Sequence, residues 1–193
     1  MPLRDQVPQI SLKDFANRRE VIKEELIAAS SDIGFFTLID HSIPIEDIDA
    51  AFELSARFFD LPLEVKQKTP FNGKNMGHEF RSQIRPSTGL ADPKESIQLG
   101  FGLGPDMTKS WPLEEDCPRF KTGAQAFMKK VQELSVQVME LLAEGLGLPS
   151  ETFTEGTICP EESDHEDSMS TLRLLKYHAC EGEDFGANYF RAG

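Results

Sequence analysis

Apolar residues recur at helical spacing near the start of the chain. Four of them follow the order i, i+4, i+7 and i+11: Ile22, Leu26, Ala29 and Ile33. This spacing predicts an amphipathic helix with one apolar face. Asn17, with Glu20 three residues later, has the pattern of a capping box and predicts where the helix begins. Gly34 predicts where it ends, because glycine readily adopts the left-handed conformation that closes a helix.

Two more stretches predict helices by the same periodicity. Pro44 suits a first helical turn, and the residues after it repeat the spacing: Ile48, Phe52, Ser55 and Phe59. The longest helix carries an apolar stripe that we expect to lie in the core: Phe127, Val131, Leu134, Val138, Leu141 and Leu142. Glycines and a proline in residues 145–149 predict its end. Pro62 predicts a break followed by one or two helical turns.

Three short runs before residue 100 predict extended structure. Residues 7–12 predict an extended segment, because Pro8 disfavours helix for the residue before it. The compact aromatic run 35–39 predicts a buried strand, and the weak alternation in residues 95–99 indicates another. Residues 69–93 and 100–118 are punctuated by Pro and Gly, so we expect loops there, the first with room for a short irregular strand.

The clearest alternation lies in residues 171–177. Leu172 and Leu174 share one face with Lys176, whereas Arg173, Leu175 and Tyr177 share the other. An acidic turn and one short aromatic run, 188–191, follow before residue 193. We therefore expect this strand to begin a sheet that residues 1–193 do not complete. Together with the predicted helices, it indicates an α+β fold.

Composition and charge narrow the class of protein. A chain of 193 residues with 39% hydrophobic residues fits one soluble globular domain. A formal net charge of −13, without a basic stripe, argues against nucleic acid and anionic membranes as partners. Cys117, Cys159 and Cys180 form no C-x-x-C pair, so neither a zinc ribbon nor a redox pair is indicated. The N-terminus lacks the apolar core of a signal peptide, and we expect a cytoplasmic location.

Seven short segments are each too common to identify a family, but their order and spacing along the chain are specific. They are VPQISL (7–12), IGFFTLIDHSIP (33–44), FFDLPLEVK (58–66), DPKES (92–96), WP (111–112), PRF (118–120) and GLGLP (145–149). Together they resemble the N-terminal region of the non-haem iron(II), 2-oxoglutarate-dependent dioxygenases related to isopenicillin N synthase. The resemblance implies a helical region over residues 1–160, an acidic loop over 161–169 and the start of a jelly-roll domain over 170–193.

The resemblance also implies a chemistry. In that family, two His and one carboxylate hold Fe(II) in the jelly-roll, 2-oxoglutarate is the cosubstrate, and a small molecule is oxidised. The first ligands come as His-x-Asp early in the barrel, and residues 190–193 resemble those immediately before it. We therefore expect that this chain alone lacks the iron ligands and is inactive. The single His-x-Asp present, His165-Glu166-Asp167, lies in the acidic loop, where a chance match is favoured over a metal pair.

Three residues carry the remaining site predictions. Tyr177 occupies a position where relatives have a Tyr that contacts a carboxylate of the cosubstrate or substrate, although core packing is the favoured alternative. His78 lies in a loop that lines the substrate mouth in relatives, which makes it a candidate substrate contact. His41 is expected to bond local backbone at a turn between strand and helix.

Two other interpretations of the chain stay open at this point. The chain is also interpretable as a non-catalytic remnant or interaction module that docks on another protein, or self-associates, through an apolar surface left where the barrel would pack. Such a chain is either a truncated gene product or one half of an activity that a separate chain completes. Alternatively, the reading frame continues beyond Gly193 into the iron ligands. A His-x-Asp encoded directly after Gly193, with a later His and Arg, would restore the oxygenase in full.

Overall fold

Helices and two small sheets alternate along the part of the chain that the computed structural model describes. That part comprises residues 7–72, 76–82, 84, 89, 91, 93–100, 111–154 and 170–178. The elements in order are β1 (Gln9–Ser11), α1 (Phe15–Asp32), β2 (Thr37–Ile39), α2 (Ile45–Phe59), α3 (Leu63–Lys66), β3 (Gly77–Phe80), β4 (Lys94–Gly100), α4 (Phe120–Gly145), a 3-10 helix (Ser150–Phe153) and β5 (Thr171–Tyr177). The α+β class is confirmed.

The apolar face predicted for α1 is confirmed, but the predicted start is wrong. Ile22, Leu26 and Ala29 are buried in a core cluster with Leu141 of α4. The helix begins at Phe15, so Asn17 lies inside its first turn and donates a hydrogen bond from Nδ2 to Asp14 Oδ1 at 2.8 Å. An amide already bonded to the preceding turn does not act as the N-cap of a capping box.

The strand expected to be buried in residues 35–39 is short and half-exposed. It is β2, and it pairs in parallel with β1. Thr37 and Ile39 are exposed, Leu38 packs against the α1 cluster, and Phe35 is 71% exposed. The prediction of burial is wrong, because only one side of this two-stranded pair faces α1.

The face predicted for α2 is buried only in part: Phe59 lies in the core, Ile48 and Ser55 are half-buried, and Phe52 is exposed. Leu54, Phe58 and Phe59 are buried, whereas Phe52 is 72% exposed. The helix carries apolar residues on two sides, and contact with α4 selects the side of Leu54 and Phe58. Their side chains join Phe120 of α4 in the central core cluster, with the Phe58 and Phe120 ring centroids 5.3 Å apart.

The longest helix ends as predicted, with a φ of +74° at Gly147 after Gly145 closes α4. Its predicted stripe lies only partly in the core. Leu141 is buried, whereas the other five stripe residues are half-buried: Phe127, Val131, Leu134, Val138 and Leu142. No helix of the described residues is long and apolar enough to cross a membrane.

Strands β3, β4 and β5 form an antiparallel sheet in that order. The irregular strand expected within residues 69–93 is β3, and the one expected over 95–99 is β4. Residues 171–177 form a strand, as predicted, with alternating exposure along it. Its neighbour lies upstream, since β5 pairs with β4 over seven positions from Lys94–Tyr177 to Gly100–Thr171.

Candidate functional site

The β3-β4-β5 sheet has two faces of different character, and together they form the candidate site. Residues opposite each other in an antiparallel pair point to the same face. The registers His78–Ile97, Ile97–Leu174 and Leu99–Leu172 therefore define one face, and Ile97 and Leu99 lie in the central core cluster. We call this the core face. The registers Ser96–Leu175 and Gln98–Arg173 define the other, which we call the outer face.

A fully buried carboxylate lies on the core face. Glu95 has the same parity in β4 as Ile97 and Leu99, and its side chain has no exposed surface. Lys66, the last residue of α3, places Nζ 2.8 Å from Glu95 Oε2 and 2.9 Å from Oε1. The same ammonium group donates to the Phe59 carbonyl at 2.8 Å. This ion pair joins the end of α2 and all of α3 to the central strand.

His78 completes the buried group from the adjacent strand. Its Nε2 lies 2.9 Å from Glu95 Oε2, and its ring makes an edge contact with Phe58 at a centroid distance of 5.7 Å. Burial lowers the pKa of His78, which the bond to Glu95 opposes. The neutral ring therefore donates its Nε2 proton to the carboxylate, which already has the positive charge of Lys66 beside it.

His178 extends the group at the end of β5. Its Nε2 lies 3.5 Å from Glu95 Oε1, and its backbone N–H donates to the Pro93 carbonyl at 2.9 Å. The ring also meets the Phe80 ring edge-on at 5.7 Å. The carboxylate is thus approached by side chains from α3, β3 and the end of β5. Its short contacts to Lys66 and His78 join α3, β3 and β4 at one point.

The outer face carries polar side chains at its centre. Ser96 and Gln98 of β4 are 2% and 8% exposed, and Arg173 of β5 pairs with Gln98 across the strands. Tyr177 lies opposite Lys94 on this face, and Lys94 Nζ is 5.9 Å from the centre of its ring. With 41% exposure, Tyr177 does not lie in the core of the described residues. The residue is therefore partly exposed on the outer face.

The two site residues predicted from the resemblance lie on opposite faces. Tyr177 is on the outer face, whereas His78 is on the core face and 6% exposed. The structure does not bring them together. The contact of His78 with a substrate and that of Tyr177 with a cosubstrate stay predictions, although the existing bond to Glu95 favours a structural role for His78.

The donor set of the described residues does not fit an iron site. No group of three or more His, Cys, Asp or Glu in them is arranged to hold a metal ion. His78, Glu95 and His178 do converge, but both oxygens of Glu95 already contact the Lys66 ammonium. A cation at that position would meet the positive charge of Lys66. The segment His165-Glu166-Asp167 lies outside the described residues.

Of the two remaining side chains with potential chemistry, His41 is half-buried and Cys117 is buried. His41 follows Asp40, a residue with a φ of +54°, and its Nδ1 is buried without a hydrogen-bond partner in the described residues. Nδ1 of His41 therefore makes no bond to backbone among the described residues. Burial raises the pKa of Cys117, so its thiol is a poor nucleophile. Cys159 and Cys180 lie outside the described residues.

Sequence reasoning missed the Lys66–Glu95 pair. A signal for it exists, because Glu95 alternates with Ile97 and Leu99, and an acid on an apolar face requires a partner. The partner, however, lies 29 residues away in a separate short helix. Nothing in the local pattern selects Lys66 over the other lysines of the chain.

Comparison with known proteins identifies the class to which this architecture belongs. The family model described as "non-haem dioxygenase in morphine synthesis N-terminal" matches residues 7–118. The chain belongs to this family. The resemblance to the N-terminal region of 2-oxoglutarate-dependent, iron-containing dioxygenases is confirmed.

Individual relatives agree with this assignment. The chain is 30% identical to proline hydroxylase buaE of Petromyces alliaceus over an alignment of 198 positions, gaps included, which covers 96% of this chain and 60% of the hydroxylase. It is 35% identical to gibberellin 20 oxidase 1 of Arabidopsis thaliana over 156 residues, which cover 76% of this chain and 38% of the oxidase. The chain therefore spans less than two thirds of the length of these relatives.

A solved structure extends the likeness to nearly all of the chain. A full-length protein of Neurospora crassa in complex with alpha-KG is 25% identical, with a TM-score of 0.79 over 97% of this chain and 60% of that one. We refer to it as the Neurospora protein. Its complex with alpha-KG and thymine matches with a TM-score of 0.76 at 25% identity, over 97% and 60% of the two chains.

Proposed function

We propose that residues 1–193 form the N-terminal region of an iron(II)- and 2-oxoglutarate-dependent oxygenase that oxidises a small molecule. The observation that carries this proposal is the match of residues 7–118 to the dioxygenase family. The likeness to the Neurospora protein, which extends through 97% of this chain, supports it further. A hydroxylase and an oxidase among the relatives indicate the type of reaction, and thymine in the Neurospora protein indicates the size of substrate.

The two faces of the sheet have separate roles in this proposal. The core face holds the sheet on α2 and α3 through Lys66 and Glu95, so the strands have a fixed position. The outer face presents Tyr177 and, four positions earlier in the same strand, Arg173. A phenol donates one hydrogen bond and a guanidinium two parallel ones, and both suit the carboxylates of 2-oxoglutarate. Iron and oxygen would supply the oxidising chemistry in the whole enzyme.

We further infer that a polypeptide limited to residues 1–193 is inactive, and that its jelly-roll is incomplete. Among the described residues, no group of three or more His, Cys, Asp or Glu is arranged to hold a metal ion. The chain covers 60% of the Neurospora protein, which leaves a large part of such a fold without a counterpart here. A facial triad needs three ligands that point at one ion, and the described residues offer no such set.

Metal titration of the purified 193-residue protein tests this inference. Fe(II) under anaerobic conditions, or Co(II) with its visible absorption, is expected to give no saturable one-to-one binding, and 2-oxoglutarate is expected not to be consumed. Tight stoichiometric binding that disappears in His165→Ala but persists in His41→Ala would overturn the inference, because it would assign a ligand role to the acidic segment.

A second function, docking on another protein, is favoured by one surface. A groove of about 270 Å³ lies between α4 and β5 and is lined by Phe127, Met128, Val131, Met139 and Leu172. The Oε1 atom of Gln132, another lining residue, is buried without a hydrogen-bond partner in the described residues. An incoming donor would satisfy that oxygen while apolar groups fill the groove.

A further inference from the structure

A second concave surface lies between α2 and α4, apart from the sheet. This cavity of about 540 Å³ separates part of α2 from the first half of α4. Its volume falls in the range of small-molecule sites, roughly 300–1,000 Å³. Neither the outer face of the sheet nor any residue assigned above to the proposed oxygenase contributes to it.

Three contacts show how the two helices are aligned along this cavity. At one end, Lys130 bonds to Asp47. In the middle, the Leu54 side chain lies 3.4 Å from where a Cβ on Gly123 would be. At the other end, Arg57 Nη2 donates to the Pro118 carbonyl at 3.2 Å. The helices are therefore antiparallel. About ten residues of α2 separate the two ends, a length of about 15 Å at 1.5 Å per residue.

Small residues explain why the helices leave a groove. Ala50 and Ala51 of α2 face Gly123 and Ala126 of α4 across the cavity. Leu54 packs against Gly123 and sets the distance between the two helices. Alanine and glycine side chains are too small to fill the space that this distance leaves beside them. The floor of the groove is consequently apolar and open, with methyl groups and the side chains of Leu54 and Phe127 along it.

The two ends of the groove differ in charge. At the Asp47 end, the lysine and the acid neutralise each other. At the other end, Arg57 and Arg119 both line the cavity, and within the described residues neither guanidinium pairs with a carboxylate. The acid Glu53 also lines the groove, so its charged side chains sum to +1, from Arg57, Arg119 and Lys130 against Asp47 and Glu53. This local positive charge contrasts with the net charge of −13 of the whole chain.

We propose that this groove binds a small amphipathic monocarboxylate, such as a medium-chain fatty acid or an acid with a comparable apolar body. The carboxylate would lie between Arg57 and Arg119, since a guanidinium forms paired hydrogen bonds with carboxylate oxygens. The apolar body would lie along the alanine floor towards the Asp47–Lys130 pair. A single negative charge matches the net +1 of the groove, and Glu53 disfavours a doubly charged group such as a phosphate monoester.

Binding of decanoate to the 193-residue protein tests the proposal. Isothermal titration calorimetry is expected to show one saturable site for decanoate, whereas decanol, which has the same chain without the charge, binds at least about tenfold more weakly. Arg119→Gln and Arg57→Gln are each expected to lower the affinity for decanoate about tenfold. Ala126→Leu, which fills the apolar floor, is expected to abolish binding of both compounds.

Arg81→Gln is the matched control, because Arg81 is an exposed arginine that follows β3 and lies outside the groove. It should bind decanoate as the unmodified protein does. Equal affinities for decanoate and decanol, or equal losses in Arg119→Gln and Arg81→Gln, would overturn the proposal, as would the absence of any saturable site. Circular dichroism of each variant separates a lost site from a lost fold. The outcome does not depend on iron binding, so it is distinguishable from a failure of the oxygenase proposal.

Discussion

The carboxylate of Glu95 shows how a single charged side chain is accommodated in this core. An isolated buried carboxylate costs several kcal/mol, and the cost is offset only where hydrogen bonds and an opposite charge are well placed. The Lys66 ammonium group supplies the opposite charge and lies within hydrogen-bonding distance of both carboxylate oxygens. The neutral ring of His78 adds a third contact. The group therefore fixes the position of the sheet on the helices more than it adds net stability.

Replacing Lys66 with Met should be strongly destabilising. The change leaves the Glu95 carboxylate buried without its opposite charge, so we expect the free energy of unfolding to fall by about 3–5 kcal/mol in urea denaturation. Lys68→Met is the matched control, because Lys68 is two residues away but pairs with Asp116 at the surface. Its expected cost is about 1 kcal/mol or less. Equal losses in the two variants would contradict the role given to the buried pair.

A double variant separates the charge effect from lost packing. If Glu95 is changed to Leu together with Lys66→Met, no uncompensated charge remains on the core face. The loss of stability should then be clearly smaller than the sum of the two single losses, since replacing both members of a buried pair by apolar residues is often neutral. Additive losses would show that Lys66 and Glu95 stabilise the protein independently.

At the scale of elements, the start of β3 is defined by a close approach of two backbones. Gly77 has a φ of +102°, and a Cβ placed on it would lie 2.3 Å from the Pro70 carbonyl oxygen. The neighbouring His78 N–H donates to Thr69 O at 2.7 Å, which holds the 69–71 segment against the strand. Glycine at this position therefore allows β3 to pack against the end of the α3 region.

Gly77→Ala should be more harmful than the same change at Gly34. Both positions have a positive φ, which costs an L-residue about 1–2 kcal/mol. Only at Gly77 does the added methyl group also collide with backbone, whereas nothing lies within 4 Å of the corresponding position at Gly34. Urea denaturation of the two variants measures the difference in free energy of unfolding. Equal losses would indicate that the Pro70 segment moves away without cost.

At the scale of the whole molecule, the β3-β4-β5 sheet has an open side among the described strands. β5 pairs with β4 on one side and with no described strand on the other. Its outward residue Leu175 is 43% exposed, and the α4–β5 groove lies next to the same strand. An unpaired strand edge beside an apolar groove is a template for association.

The purified 193-residue protein should therefore self-associate with increasing concentration. Analytical ultracentrifugation is expected to show a mass above that of the monomer at high concentration, and Leu175→Lys should shift the equilibrium towards monomer, because an edge lysine opposes strand pairing. Val21→Lys, a change at a similarly exposed apolar residue on α1, should leave it unaltered. A wild-type protein that stays monomeric at every concentration would contradict this prediction.

Local patterns in the sequence were sufficient to determine much about the elements. Periodicity located α1, α2 and α4, and alternation located β5 with its two faces. These features depend on residues a few positions apart, which is the range over which helical and strand periodicity acts. The order of short motifs was also sufficient to identify the dioxygenase family, since that order is a property of the chain alone.

Only the tertiary structure decided which surfaces meet. It selected the Leu54 and Phe58 side of α2 over the apolar side of Phe52, because α4 packs against the former. It paired β5 with a strand whose partner positions lie 71 to 83 residues upstream, and this register places Tyr177 on the sheet face opposite to that of His78. It also joined Lys66 to Glu95 across 29 residues. Each of these outcomes depends on contacts between segments far apart in the chain. The entropy lost in bringing such segments together, and the free energy gained from their contacts, cannot be derived from a local sequence pattern.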